Sequence, residues 1–165
     1  MIGTDAIRTA VQMALVSLAS YLIAFYSTSL FHAASAGLGG LWSASSGVVV
    51  LQATQRETWS AASLQLLGTA IGSIISAGYL AVLPFSPFGM AGSMFATVLL
   101  CHAVAIPGHA RLAAINVIVI MVTASLHPTL NPFQNAALRF GESCIGAAIA
   151  VFAVLLWPKE PPKPA

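Results

Sequence analysis

Residues Ala10–Leu30 read AVQMALVSLASYLIAFYSTSL, 21 residues without an Asp, Glu, Lys or Arg. The hydrocarbon core of a bilayer takes about 20 apolar residues per helix, so this run is long enough to cross it. Its apolar residues do not alternate with polar ones at the period of two that a membrane β-strand requires. In lipid every backbone N–H and C=O has to be bonded within the segment, which makes a run of this length a helix. Arg8 ahead of it and Ala34-Ser35-Ala36 behind it mimic a secretory signal and its cleavage site. The run is longer than the roughly 7–15-residue apolar core of such a signal, and it reads as a span instead.

Working outward, the rest of the chain has the same character. Of 165 residues, 58% are hydrophobic and 6% charged. Soluble domains carry about 25% charged residues. The mean hydropathy of +0.91 agrees. Six spans follow, at 8–28, 38–55, 62–83, 88–106, 111–127 and 136–157. Pro84 and Pro87, Pro107-Gly108, and Pro128 and Pro132 punctuate them, and Pro158 ends the last. Proline stops a helix because it has no N–H to continue the ladder. The expected fold is an all-α integral membrane domain of six transmembrane helices over residues 1–158. A short Pro/Lys tail follows at 159–165.

The cations set the orientation. Arg8, Arg56, Arg111, Lys159 and Lys163 fall at the termini and the even-numbered loops, and Arg139 stands apart. The positive-inside rule then puts both termini in the cytoplasm. A net charge of +2 offers no basic patch for nucleic acid. Cys101 and Cys144 sit in apolar runs, and His32, His102, His109 and His127 are scattered. No spacing of a nucleophile and base, a metal set or a phosphate loop is present. Neither an enzyme nor a metal or cofactor is expected.

Two stretches correspond at an offset of 74. Gln65, Thr69, Ile71 and Gly72 of the third span match Arg139, Ser143, Ile145 and Gly146 of the sixth, and Pro84 matches Pro158. Three helices per half would invert the second half, about 88–158, relative to the first, about 8–84. Transporters with that architecture place their site near the midplane between the halves. Gly68, Gly72 and Ser76 form one small-residue stripe, and Gly89, Ser93 and Thr97 another. Gly146 follows the same pattern in the sixth span. Such stripes let helices approach closely.

Arg139 and Glu142, three residues apart, share a helix face inside the sixth span. Charge at that depth is costly, and it faces a partner or a wet cavity. Two readings stand: an internal ion pair that fixes packing, or an anion-attracting or proton-coupling site. An arginine fork suits a carboxylate, since it can hold both oxygens. Gln65 and Asn116 are further polar candidates for a substrate path. His102 is either a buried, bonded histidine or a proton relay. Arg56-Glu57 reads as a solvated loop signal, and Arg111 as an anchor at the start of the fifth span. Trp42, Trp59 and Trp157 read as interfacial anchors.

Three motifs resemble a known family: Trp42-Ser43-Ala44-Ser45-Ser46-Gly47, Gln65-x-x-Gly68-Thr69-x-x-Gly72, and Arg139-x-x-Glu142-x-x-x-Gly146 with Trp157-Pro158. In order and spacing they are similar to the membrane domain of the fusaric acid resistance and aromatic acid exporter superfamily, over about 8–158. The resemblance implies a bacterial inner-membrane module that exports aromatic or other organic carboxylates. It also implies a homo-oligomer, a dimer or larger; the candidates for the substrate path are Arg139, Glu142, Gln65, Asn116, His102 and Trp42. The family usually has arginine where this chain has Gln65, which departs from a symmetric pair of cationic sites. Proton coupling is one expectation. A passive anion channel and a non-transporting assembly subunit are the competing functions.

Overall fold

The computed structural model describes residues 3–157, apart from the side chain of Asp5. Pro158, Lys159, Lys163 and the tail therefore lie outside the described residues. Six α-helices are present among those described: α1 (Thr4–His32), α2 (Ala36–Val50), α3 (Gln55–Val82), α4 (Pro87–Ala103), α5 (Pro107–Leu126) and α6 (Pro132–Leu156). A single 3-10 turn, Ala33–Ser35, joins α1 to α2. The punctuating prolines act as starters as well as stops. Pro87, Pro107 and Pro132 each open a helix. Proline's fixed φ suits a first turn, where its missing N–H has no partner to lose.

All six helices begin earlier than hydropathy alone places them, and for α3 and α6 a side-chain cap sets the start. Thr54 accepts from the Glu57 backbone N–H at 3.2 Å, and Glu57 Oε2 accepts in return from the Thr54 N–H at 3.2 Å. This capping box starts α3 at Gln55, so Arg56 and Glu57 form its exposed first turn rather than a loop. Asn131 Oδ1 accepts from the N–H groups of Phe133 and Gln134 and starts α6 at Pro132. Arg139 is consequently about two turns into α6.

Hydropathy and length together mark four segments able to cross a membrane: Ala6–Val50, which includes both α1 and α2, and then Gln55–Val82, Pro107–Leu126 and Pro132–Leu156. Pro87–Ala103 is apolar but shorter. By itself α2 has 15 residues, about 22 Å of helix. The fold is inside-out in chemistry. Leu30, Phe31, Ile74, Val82, Phe88 and Leu156 are exposed, whereas Gln65, Thr69, Asn116, Asn135 and Ser143 are buried. Exposed apolar side chains on this scale fit a lipid surround.

Helices α3 and α6 cross antiparallel at the centre, Thr69 against Ser143. Against α6 packs α2, and against α3 packs α5. On the outside, α1 pairs antiparallel with α2, Thr28 beside Gly39 and Val16 beside Gly47, and α4 pairs with α5. Apolar clusters close both ends of the α3–α6 crossing. Ala62, Ala147, Ala150 and Val154 lie in one, and Ala77, Ile120 and Ala136 in the other. A polar layer lies between them.

The α4–α5 corner holds backbone strain. Ala105 has φ 58°, the left-handed region, and the following Ile106 N–H closes back onto Cys101 O at 2.8 Å. This is a Schellman-type helix end, with alanine where glycine is usual. A left-handed alanine costs roughly 1–2 kcal/mol, part of which glycine would give back as unfolded-chain entropy. Ala105→Gly is therefore expected to stabilise the fold by about 0.5–1 kcal/mol, read as a rise in unfolding midpoint in detergent. A lower midpoint would show that the corner is not strained.

Candidate functional site

The polar layer is built from mid-helix side chains, and its charged part comes from α6. Arg139 is 0% exposed and Glu142 2% exposed. Arg139 Nη2 stands 2.9 Å from Glu142 Oε1. The same oxygen accepts from Thr28 Oγ1 on α1 at 2.7 Å. Trp42 Nε1 on α2 donates to the Arg139 backbone carbonyl at 3.2 Å. Trp42 is thus half-buried and bonded to α6. Gly39 makes room for the carboxylate: a Cβ there would collide with Glu142 Oε1 and with Thr28 Oγ1.

The pair is close but incompletely bonded. The Arg139–Glu142 contact is an ion pair in distance, yet no N–H of the guanidinium is aligned on a hydrogen-bond acceptor. Glu142 Oε2 has no donor either. Buried polar groups are normally satisfied, and charged ones most strictly.

A second, neutral chain of contacts runs from this pair across the bundle. Ser143, next to Glu142, lies 3.4 Å from Ser46 Oγ of α2 and accepts from Thr69 Oγ1 of α3 at 3.4 Å. Gln65 Nε2 donates to Ser46 Oγ at 3.0 Å. Asn116 Nδ2 on α5 donates to Thr69 O at 2.7 Å and to Ser73 Oγ at 2.9 Å. Asn135 Nδ2 ties α6 to the Ile120 carbonyl of α5 at 2.9 Å. Gln65, Asn116, Trp42, Arg139 and Glu142 therefore gather in one layer. His102 does not: it is exposed in the last turn of α4.

Nothing in the sequence singles out Thr28, Gly39 or Asn135, and Ser46 is marked only as part of the Trp42–Gly47 motif. Three are small or hydroxylic residues of the kind that recur throughout these apolar runs. Their partners are 15 to 114 residues away, so no local spacing marks them.

A cleft of about 350 Å³ opens between α1 and α6. Glu142 lines it with Ser27, Thr28, Phe31, Gln134 and Gly141. The volume is in the range that takes a small organic molecule. Phe31, 69% exposed, supplies an aromatic wall, and the Gln134 amide spans the helices to Phe31 O at 3.4 Å.

The family model for fusaric acid resistance protein-like proteins matches residues 20–153. The chain belongs to that family. No curated protein and no solved structure matches it. The fusaric acid resistance protein-like family is one of membrane transporters. With the apolar helices, membership makes this a multi-pass membrane protein. The match takes in the whole polar layer, from Thr28 to Ser143. In this fusaric acid resistance protein-like chain the layer brings together donors, acceptors and one ion pair, and the cleft reaches it from the α1–α6 side.

Proposed function

We propose that this protein exports aromatic or other organic carboxylate anions across the bacterial inner membrane, as a homo-oligomer, with Arg139 on the anion path. The observation that carries the reading is the buried guanidinium with unaligned N–H groups, beside a cleft with an aromatic wall. A planar fork of donors in a dry site suits a carboxylate. Membership of a transporter family supports the same reading.

The six helices are read as six spans in two inverted halves, α1–α3 and α4–α6. The packing supports this. α1 lies on α2 as α4 lies on α5, and α2 lies on α6 as α5 lies on α3. The halves meet at Thr69 and Ser143, 74 positions apart. Gly72 faces Ala113 and Asn116 of α5, and Gly146 faces Ser43 and Ser46 of α2. Arg56 and Arg111, both exposed, stand beside the α2–α3 and α4–α5 connections, which supports cytoplasmic termini.

The test is flux of radiolabelled benzoate in proteoliposomes. Arg139→Lys keeps the charge but loses the fork. Losing one or two charge-assisted bonds is expected to slow flux by about 10–100-fold. Wild-type vesicles that move no aromatic carboxylate, or full flux in the lysine variant, would refute the reading. A current that persists without any ion gradient coupling would assign the protein as an anion channel instead.

A further inference from the structure

We propose that Glu142 is the proton acceptor of the transport cycle, exchanging its hold on Arg139 for a proton whenever a substrate carboxylate arrives. This rests on the transport reading above and adds the group that keeps the layer neutral while the anion is bound. The first observation is the shared guanidinium. Arg139 Nη2 is 2.9 Å from Glu142 Oε1, and a carboxylate ligand would compete for the same fork. The second is position. Glu142, not Arg139, lines the α1–α6 cleft, and its Oε2 has no hydrogen-bond partner although the side chain is 98% buried. A ligand entering by the cleft meets the carboxylate first.

Charge balance gives the direction. The resting layer holds Arg139 and Glu142 with no net charge. An anion joining the pair unaccompanied would leave a net negative charge buried among apolar helices, which is strongly unfavourable. A proton on Glu142 restores neutrality: Arg139 pairs with the substrate carboxylate, and Glu142 becomes a neutral acid. The proton comes from water and ends on the carboxyl. No bond other than that O–H forms. Thr28 Oγ1 donates to Oε1, a bond the neutral carboxyl keeps through its carbonyl oxygen while Oε2 carries the proton.

The surroundings leave Glu142 as the exchanging group. α1 presents Thr28 and Ser27, α2 presents Gly39, and α6 presents Arg139 and Gln134. Thr69 of α3 and Asn116 of α5 are neutral. Arg8, Arg56, Glu57 and Arg111 lie near helix ends and are not buried. The nearest histidines are His32, one turn beyond Thr28, and His127 at the end of α5, whose rings stack edge to face at 5.5 Å.

The experiment mixes purified protein with sodium benzoate in a weakly buffered detergent solution at neutral pH, with a pH indicator present. Wild type is expected to take up about one proton per bound benzoate, and its affinity to fall about tenfold per pH unit over the range in which the resting Glu142 is ionised. Glu142→Gln is expected to bind benzoate without proton uptake and with affinity independent of pH. A merely structural Glu142 would change affinity and leave the proton count alone. Benzoate binding with no proton uptake in wild type overturns the proposal and spares the transport reading. If benzoate, salicylate and phenylacetate all fail to bind, the transport reading falls and this inference falls with it. Should Glu142→Gln not fold, the wild-type proton count alone decides.

Discussion

Arg139→Met is expected to destabilise the protein by about 3–5 kcal/mol, and Glu142→Leu added to it is expected to recover most of that loss. The reasoning starts from the partner left behind. With Arg139 gone, Glu142 keeps one donor, Thr28 at 2.7 Å, and sits 2% exposed between α1 and α6. An unpaired buried charge is far more costly than the pair was worth. Removing both charges with apolar residues of similar volume takes away the desolvation penalty along with the attraction. The Trp42 bond survives in every variant, since it goes to the residue 139 backbone carbonyl and not to the side chain. The four-variant cycle is measured as unfolding free energy in micelles. Coupling of only a few tenths of a kcal/mol would mean that Arg139 and Glu142 are independent and the ion pair is incidental. The same cycle separates stability from transport. The double variant should fold well and carry no benzoate, because the fork has gone.

Helix number and the weight of Arg139–Glu142 were legible in the sequence for one reason each. Runs as long as Ala10–Leu30 have no other solution in lipid, and a charge pair inside such a run stands out against 6% charged residues. Hydropathy alone misplaces the starts of α3 and α6, because the residues that cap them are polar. Thr54-Gln55-Arg56-Glu57 is a capping box in plain sight, hidden by its being polar and therefore loop-like. Thr28 and Gly39 were illegible for a different reason. Nothing about a threonine or a glycine in an apolar helix shows that residue 142 will lie against it. The bond from Trp42 to α6 was illegible too, because only the position of α6 gives its N–H a backbone carbonyl to meet.

The neutral half of the layer rests on two glycines, and their substitution carries the second large effect. Gly72→Ala and Gly146→Ala are each expected to cost about 1–3 kcal/mol or more. In each case the added methyl meets backbone of a neighbouring helix, which cannot swing aside as a side chain can. At Gly146 it runs into Ser43 O and comes within 2.9 Å of Gly47 N on α2. At Gly72 it runs into Ala113 O and comes within 3.1 Å of Asn116 Cβ on α5. The helices can only move apart. On the α2 side that stretches the Ser46–Ser143 contact, already 3.4 Å. On the α5 side it pulls Asn116 from Thr69 O and Ser73. Gly78→Ala and Gly92→Ala are the controls, since a Cβ at either meets nothing within 4 Å. A mid-helix glycine is intrinsically worse than alanine by roughly 0.5–1 kcal/mol, so the controls should be neutral or slightly stabilising. Equal losses at all four sites would show that helix propensity and not close approach sets the response. Loss at Gly146 with none at Gly72 would break the correspondence between the halves, because the two glycines do the same job against α2 and α5 only if those helices occupy equivalent places.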